Sequence, residues 1–490
     1  MNIFQATSLF GIGLIVLVFA LTCVGVGLWL LHSSRQNISF LFAPMLIGLA
    51  LCGVMDVALS GRTMQSDFGS AVSEAALQDI ASKLPVKLLL GFLAGLAVVA
   101  LAGRIVQARQ RAALPAALIA SFVWFYVATN IVPAAFGYEP VFLYGLVYTP
   151  LILLAILVTA PSDPQATIRA VKAALLLIIV SSLVAALVAP SLVLQTSTKA
   201  FIPGFGKRLW GLTSHANVLG PAALTLCLIE WAQPYRSRIM HRSSFLLGLV
   251  ALVLTQSKTS LVAAFAAVAV LTVYAFVSML RGISLRSGNR VIYSNKVPMA
   301  MLGAGMLAIV LALVTIVIGD KLGLANAIAE RLSNIDFNTV AGRTAIWHQA
   351  VTEGINHPLF GYGLNIWSPD YRLATGLGSA FHAHNQFLQI FSVAGVFGLL
   401  GFAIYLVVIS KLAFDLVHAS RGVSLALLVV LLVRSITEVP VQFGAITGAD
   451  FISHLAFLLL VGALVSKQRS APTHNPITTR PASSMHAYDH

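Results

Sequence analysis

Residues 173–194 read AALLLIIVSSLVAALVAPSLVL, 22 residues without a charged side chain. As a helix rising about 1.5 Å per residue, such a run crosses a bilayer core of about 30 Å. Lipid offers the backbone no hydrogen-bonding partner, so spanning segments are helices or closed barrels. The alternating segments of about ten residues that mark a barrel are absent from this chain. Working outward, comparable runs lie near 9–31, 40–59, 86–102, 112–130, 141–160, 216–231, 244–255, 261–280, 297–318, 386–410, 422–436 and 451–466. The sequence therefore predicts an all-α polytopic membrane protein of about 12–13 transmembrane helices. The first run lacks a basic start and is too long for the apolar core of a signal peptide, so it is expected to stay as a span.

Composition agrees. The 490 residues are 58% hydrophobic and 9% charged, with mean hydropathy +0.91, against about 25% charged residues in soluble domains. Threading thirteen spans places 18 of the 30 basic residues but four of the 16 acidic ones on one side. The net charge of +14 thus falls on one face, and the positive-inside rule makes that face cytoplasmic. Topology accounts for the basicity, so no nucleic-acid partner is needed. Cys23, Cys52 and Cys227 all fall within spans and form neither a disulfide framework nor a metal site.

The expected organisation follows from these spans. Residues 1–195 and 196–318 are transmembrane helices, the second set with outward-facing basic loops. Residues 319–385 form a large helical periplasmic loop, 386–466 return to the membrane, and 467–490 make a disordered cytoplasmic tail. The 319–385 loop carries Trp347, Trp367, Tyr362, Tyr371, Phe360 and Phe381, too many aromatics for disorder. No function is assigned to the mixed-charge loop 60–85, and Gly361-Tyr362-Gly363 is expected to be only a turn.

Outward-facing clusters carry the candidate chemistry. They are Lys207–Asn217, Gln256–Ser260, Gly342–Trp347 and His382–Gln386. Arg208, Arg343, Arg372, Lys207 and Lys258 place cations at the mouth of an apolar bundle, where arginine forks suit phosphate oxygens. A histidine there can take a proton from a hydroxyl, while Trp367 and Tyr371 can cover sugar rings. Plainer readings stand beside these: Arg208 as a snorkelling anchor, Arg343 as a partner of Asp336 or Glu353, and His348 and His357 as structural. Arg434 and Glu438, spaced i, i+4, are expected to neutralise each other. Acidic side chains are too sparse outside the membrane for a metal cage.

Gly342-Arg-Thr-Ala-Ile-Trp347, His357-Pro-Leu-Phe-Gly-Tyr-Gly363 and His384-Asn385 with Gly395 and Gly398 resemble the O-antigen ligase and Wzy polymerase superfamily. Arg208-Leu-Trp-Gly-Leu-Thr-Ser-His-Ala-Asn217 and Gln256–Ser260 are similar to its exopolysaccharide polymerase branch. The resemblance covers about residues 200–410. It implies a GT-C-like architecture and undecaprenyl-diphosphate-linked oligosaccharides as donor and acceptor, with no nucleotide sugar, cofactor or metal. Carried over by motif, Arg208 and Arg343, with Lys258, hold the diphosphate and His384 is the base. His215 and His382 are second choices. Asn217, Asn385, Trp347, Trp367, Tyr371 and Arg372 are candidate acceptor or sugar contacts. The implied activity is polymerisation of repeat units outside the inner membrane, with chain-length or export proteins as further partners. Transfer to lipid A-core or protein is the nearest alternative. A flippase would instead need ionisable residues along a midplane path.

Overall fold

The computed structural model describes residue 25, 38–64, 84–106, 114–280 apart from 142, 144, 162, 198, 199, 201 and 203–205, the pairs 286–287 and 290–291, 337–441 apart from 379, and 449–470. The expected spans 9–31 and 297–318, most of the 60–85 loop, residues 319–336 and the tail from 471 lie outside this set.

The other eleven expected spans coincide with apolar helices. Seven are long and apolar enough to cross a membrane: α1 Ile38–Ala58, α2 Leu84–Ile105, α3 Ala116–Phe136, α5 Pro164–Val188, α7 Arg238–Thr255, α8 Lys258–Ser278 and α11 Gln386–Asp415. Four are shorter: α4 Gly145–Thr159, α6 Ala216–Ala232, α12 Val423–Thr437 and the apolar part, Phe451–Val465, of α13. Helix α13 itself runs Ala449–Ser470, so it continues four residues into the segment assigned to the tail. Two further helices sit in the large loop, α9 Phe337–Asn356 and α10 Pro369–Ala374. The fold class is all-α and polytopic.

Helix α1 packs on α5, α2 on α4, α6 on α7, α8 on α12, and α13 bridges α5 and α6. Their inward faces bury Leu49, Ala97, Ile152, Ile179, Leu219 and Leu459, while Leu187, Phe265 and Val407 remain exposed, as expected of surfaces solvated by lipid. At the basic end, Lys172 and Glu230 are fully buried and pair at 3.0 Å, with His241 Nδ1 at 2.9 Å from the same carboxylate. The carboxylate of Glu230 is thus held by the Lys172 ammonium and the His241 ring nitrogen, which is what makes a buried charge tolerable.

Two short strands near the outward end of α5 were not anticipated. β1 Leu194–Thr196 pairs antiparallel with β2 Lys207–Leu209, setting Gln195 opposite Arg208. The tryptophan just after β2, Trp210, donates from Nε1 to Gln195 Oε1 at 2.9 Å, and Gln256 Nε2 donates to Lys207 O at 2.7 Å. Strands of three residues, with Thr196 alone of a β-favouring type, are too short to leave a period-2 signature. Arg62 fastens the segment from the other side, donating to Leu192 O, Gly211 O and Thr213 O at 2.8–3.1 Å. This gives Arg62 a structural role that the sequence did not reveal.

Helix α11 is broken. Gly395, at φ +62 and ψ −157, interrupts its thirty residues. The carbonyls of Ser392 and Val393 accept from Tyr362 N and Gly363 N at 2.8 and 3.0 Å. In return Val396 N and Phe397 N donate to Pro358 O and Leu359 O at 2.8 and 3.2 Å. The loop 358–363 therefore satisfies backbone groups that the break would leave bare in lipid. Gly361-Tyr362-Gly363 is more than a turn: it closes the gap in a membrane helix. A Cβ at Gly395 would lie 2.6 Å from the backbone of Leu359 and Pro358. Gly395→Ala is expected to cost about 1–3 kcal/mol, from positive φ and overpacking together. An unchanged unfolding midpoint in detergent would refute this account of the break.

Candidate active site

Seven of the residues singled out in the sequence converge at the end of the bundle opposite Lys172 and Glu230. Strand β2 delivers Arg208, which is 9% exposed. Its Nε lies 3.3 Å from Thr255 O and one terminal nitrogen lies 3.4 Å from Asn217 Oδ1. His215 caps α6: its Nδ1 accepts from Asn217 N at 3.0 Å. Asn217 Oδ1 also accepts from Ser257 Oγ at 2.8 Å. Helix α9 supplies Arg343, and the turn before α11 supplies His382 and His384.

These groups meet around a carboxylate the sequence had assigned elsewhere. Glu438 Oε1 accepts from Asn217 Nδ2 at 2.7 Å and from Arg343 at 3.4 Å, and Oε2 faces His384 Nδ1 at 3.2 Å. The i, i+4 spacing with Arg434 suggested mutual neutralisation. Instead Glu438 closes α12 with an extended backbone, φ −147, which turns its side chain towards α6, α9 and α11. Arg434 donates to Asn217 O at 3.0 Å. Burial pushes the Glu438 carboxyl up, but the His384 hydrogen bond and the neighbouring His384, His382 and Arg343 charges bring it down to about 2. It is ionised at any physiological pH. Its only sequence signal was an acidic residue beside Pro440 at a span end.

The His384 turn is tightly determined. Trp347 Nε1 donates to Ala383 O at 2.9 Å, and Ala383 N donates to Gln389 Oε1 at 2.8 Å. His384 sits at φ +49, a left-handed conformation that a non-glycine residue adopts at a cost. Asn385 caps α11, accepting from Phe387 N and Leu388 N, so the positive end of a helix dipole opens beside His384.

Hydrogen bonding separates the three histidines. His382 Nδ1 accepts from His384 N at 3.0 Å, as His215 Nδ1 does from Asn217 N. A ring whose Nδ1 accepts carries its proton on Nε2, so neither has a free lone pair for a base. Burial, then neighbouring positive charge, pulls His215 down to about 3 and His382 to about 4. Only His384 can donate from Nδ1 to a carboxylate and keep Nε2 free, the arrangement of a base oriented by an acid. His215 also gives a pH prediction. Its folded value lies below the ordinary value of 6.5, so as pH falls from about 6.5 to 3 the unfolded chain takes up a proton that the folded chain refuses, and stability is lost. His215→Asn, which keeps a cap acceptor, should flatten that acid limb in thermal unfolding. An unchanged slope would count against the burial of this ring.

His382, His384 and Glu438 also bring three cation-ligating atoms within 4.8 Å of one another. Sequence reasoning held such groups too sparse for this. The Nδ1 of His382 is already engaged and Arg343 shares the carboxylate, so the arrangement serves proton transfer better than metal capture.

The remaining candidates stand apart. Lys258 starts α8 and is exposed at the rim, between Ser257 and Thr259. Trp347 and Asn385 act on the backbone of the His384 turn. Trp367 and Tyr371 are each 9% exposed and pack edge to face within the loop. Arg372 is buried, donating to Gly378 O and lying 4.2 Å from the Phe381 ring. These three pack within the loop and leave little of their surface open.

Residues 243–403 match the family model described as O-antigen ligase. The segment contains Lys258, Arg343, Trp347, His382, His384 and Asn385, with the broken helix to Gly398. Arg208, His215, Asn217 and Glu438 lie outside it. No curated protein matches the chain. The match supports a membrane protein that transfers glycosyl groups in polysaccharide assembly.

Proposed function

We propose, from the segment that matches the O-antigen ligase family, that this protein is a polymerase of lipid-linked repeat units. It joins undecaprenyl-diphosphate-linked oligosaccharides into a surface or exopolysaccharide. The observation that carries the reading is the convergence of Arg208, Arg343 and a His384–Glu438 pair at one bundle end. That end is opposite the arginine-rich loops, so the reaction faces the periplasm and the C-terminus is cytoplasmic.

Each residue then has a task. The acceptor hydroxyl gives its proton to His384 Nε2 as its oxygen bonds to the anomeric carbon of the donor. The bond from that carbon to the diphosphate oxygen breaks, and the electron pair leaves with undecaprenyl diphosphate. Arg208 and Arg343 stabilise the charge that develops there, with Lys258 at the rim. Glu438 holds the imidazole in the productive tautomer and stabilises the imidazolium.

One observation favours a second reading: the family description itself names a ligase, whose acceptor would be lipid A-core. Purified protein in nanodiscs, given lipid-linked repeat units alone, decides between them. A glycan ladder supports polymerisation. Transfer only on addition of lipid A-core supports the ligase. Turnover of neither would refute glycosyl transfer.

A further inference from the structure

A second constellation, away from Glu438, lies at the far end of α9 from Arg343. Tyr138, on the loop after α3, is 64% exposed. Its ring stacks on His357 with centroids 4.1 Å apart and planes at 21°. Tyr362 stands 5.6 Å from Tyr138 and meets Tyr371 edge to face at 5.0 Å. Two carboxylates flank the rings. Glu139 is exposed, and its charge, after burial, helps to push the Tyr362 hydroxyl up from its ordinary range. Glu353 accepts from Tyr371 Oη at 2.6 Å and lies 3.7 Å from His357 Nε2. The backbones are locked too, with Tyr138 N donating to Gly361 O and Glu139 N to Tyr362 O.

We propose that the stacked Tyr138–His357 pair with Glu139 is a saccharide-binding platform for the glycan chain, outside the reaction centre. A flat exposed ring covers the apolar face of a pyranose, and adjacent carboxylates accept from its hydroxyls. The sequence points to Trp367 and Tyr371 for stacking, but both are buried in the loop, whereas the Tyr138 ring is open and has carboxylates beside it. A bilayer anchor is the competing use of an interfacial tyrosine. Two carboxylates beside the ring disfavour an anionic lipid surface, and the lipid-like aromatics form a separate chain, Phe136–Phe360–Phe397–Trp124. Glu353 lies ten residues from Arg343 on the same helix, about 15 Å along its axis. The platform therefore receives sugars several units away from the reacting bond, which fits a growing chain better than a single repeat. The inference rests on the glycosyl-transfer reading for the class of ligand alone.

The test uses full-length protein in nanodiscs and, as probe, oligosaccharides of one to four repeats made by partial hydrolysis of the host's own polysaccharide. These lack diphosphate, so binding is read by saturation-transfer NMR without turnover. Tyr138→Ala and Glu139→Gln are expected to weaken binding of the longer probes by about tenfold or more, with Tyr138→Trp retaining it and Phe136→Ala without effect. In turnover, ladders from Tyr138→Ala should shorten while the first transfer persists. Equal binding by wild type, Tyr138→Ala and Glu139→Gln overturns the platform, as does absence of binding by wild type. Unchanged sugar binding with looser bilayer association of Tyr138→Ala makes the residue an anchor and also overturns it. None of these results bears on His384, whose own variant tests the chemistry.

Discussion

Replacing His384 with alanine is expected to lower glycosyl transfer by about 10²–10⁴-fold, the range for removal of a positioned general base. Retention of undecaprenyl diphosphate should stay near that of the wild type, because Arg208 and Arg343 are left in place. The size of the effect follows from the lack of a substitute. His215 and His382 present Nδ1 to backbone N–H groups at 3.0 Å, and both are pulled far below the ordinary histidine range by burial. Neither can take over within the same backbone. Ladders from His384→Ala equal to those of the wild type would remove the base from the mechanism and with it the central argument for the site.

The second large effect is expected at Glu438. Glu438→Gln keeps the size of the side chain and an oxygen for Asn217, yet removes the charge shared by Arg343 and His384. In a comparable base-orienting carboxylate, the amide costs about 10⁴ in rate because the imidazole adopts the wrong tautomer; a loss of about 10²–10⁴ is expected here. A merely structural role would lower the amount of folded protein and leave the rate per folded molecule alone. A positioning role lowers that rate while diphosphate retention stays near the wild type, because the imidazole no longer presents Nε2 to the acceptor. Glu438→Asp should recover part of the rate. An unchanged rate per folded molecule, or a loss with no recovery by aspartate, would reduce Glu438 to a packing residue.

Much of this was legible in the sequence because membranes simplify the problem. Hydropathy alone located eleven spans that correspond to helices, since lipid leaves the backbone few options. The motifs led to Arg208, His215, Asn217, Arg343 and His384 because arginines and histidines at the mouth of an apolar bundle are costly unless used. What stayed hidden depends on contacts between residues far apart in the chain. Glu438 looked paired with Arg434 because the i, i+4 rule assumes that the helix continues through both, whereas α12 ends at Thr437. Trp367 and Tyr371 looked like sugar platforms because an aromatic in a loop carries no mark of burial, and Tyr138 was passed over because it sits some 200 residues from the other loop rings. The tautomers of His215 and His382 depend on single backbone N–H groups, which no residue spacing encodes.

The exchange of hydrogen bonds between Gly395 and the 358–363 turn bears on how the protein is made. During insertion, the membrane half of α11 before the break and the segment after it cannot both be completed until the preceding loop has returned to them. Loop and helix are thus one cooperative unit, and α9 with the His384 turn is bound into it. The loop cannot be lifted out as a soluble domain, nor exchanged with that of another protein, unless the Gly395 region travels with it. Loop-only expression is expected to yield unfolded chain, while chimaeras joined after Gly398 keep the unit whole. The position of His384 is in this sense an outcome of membrane insertion itself.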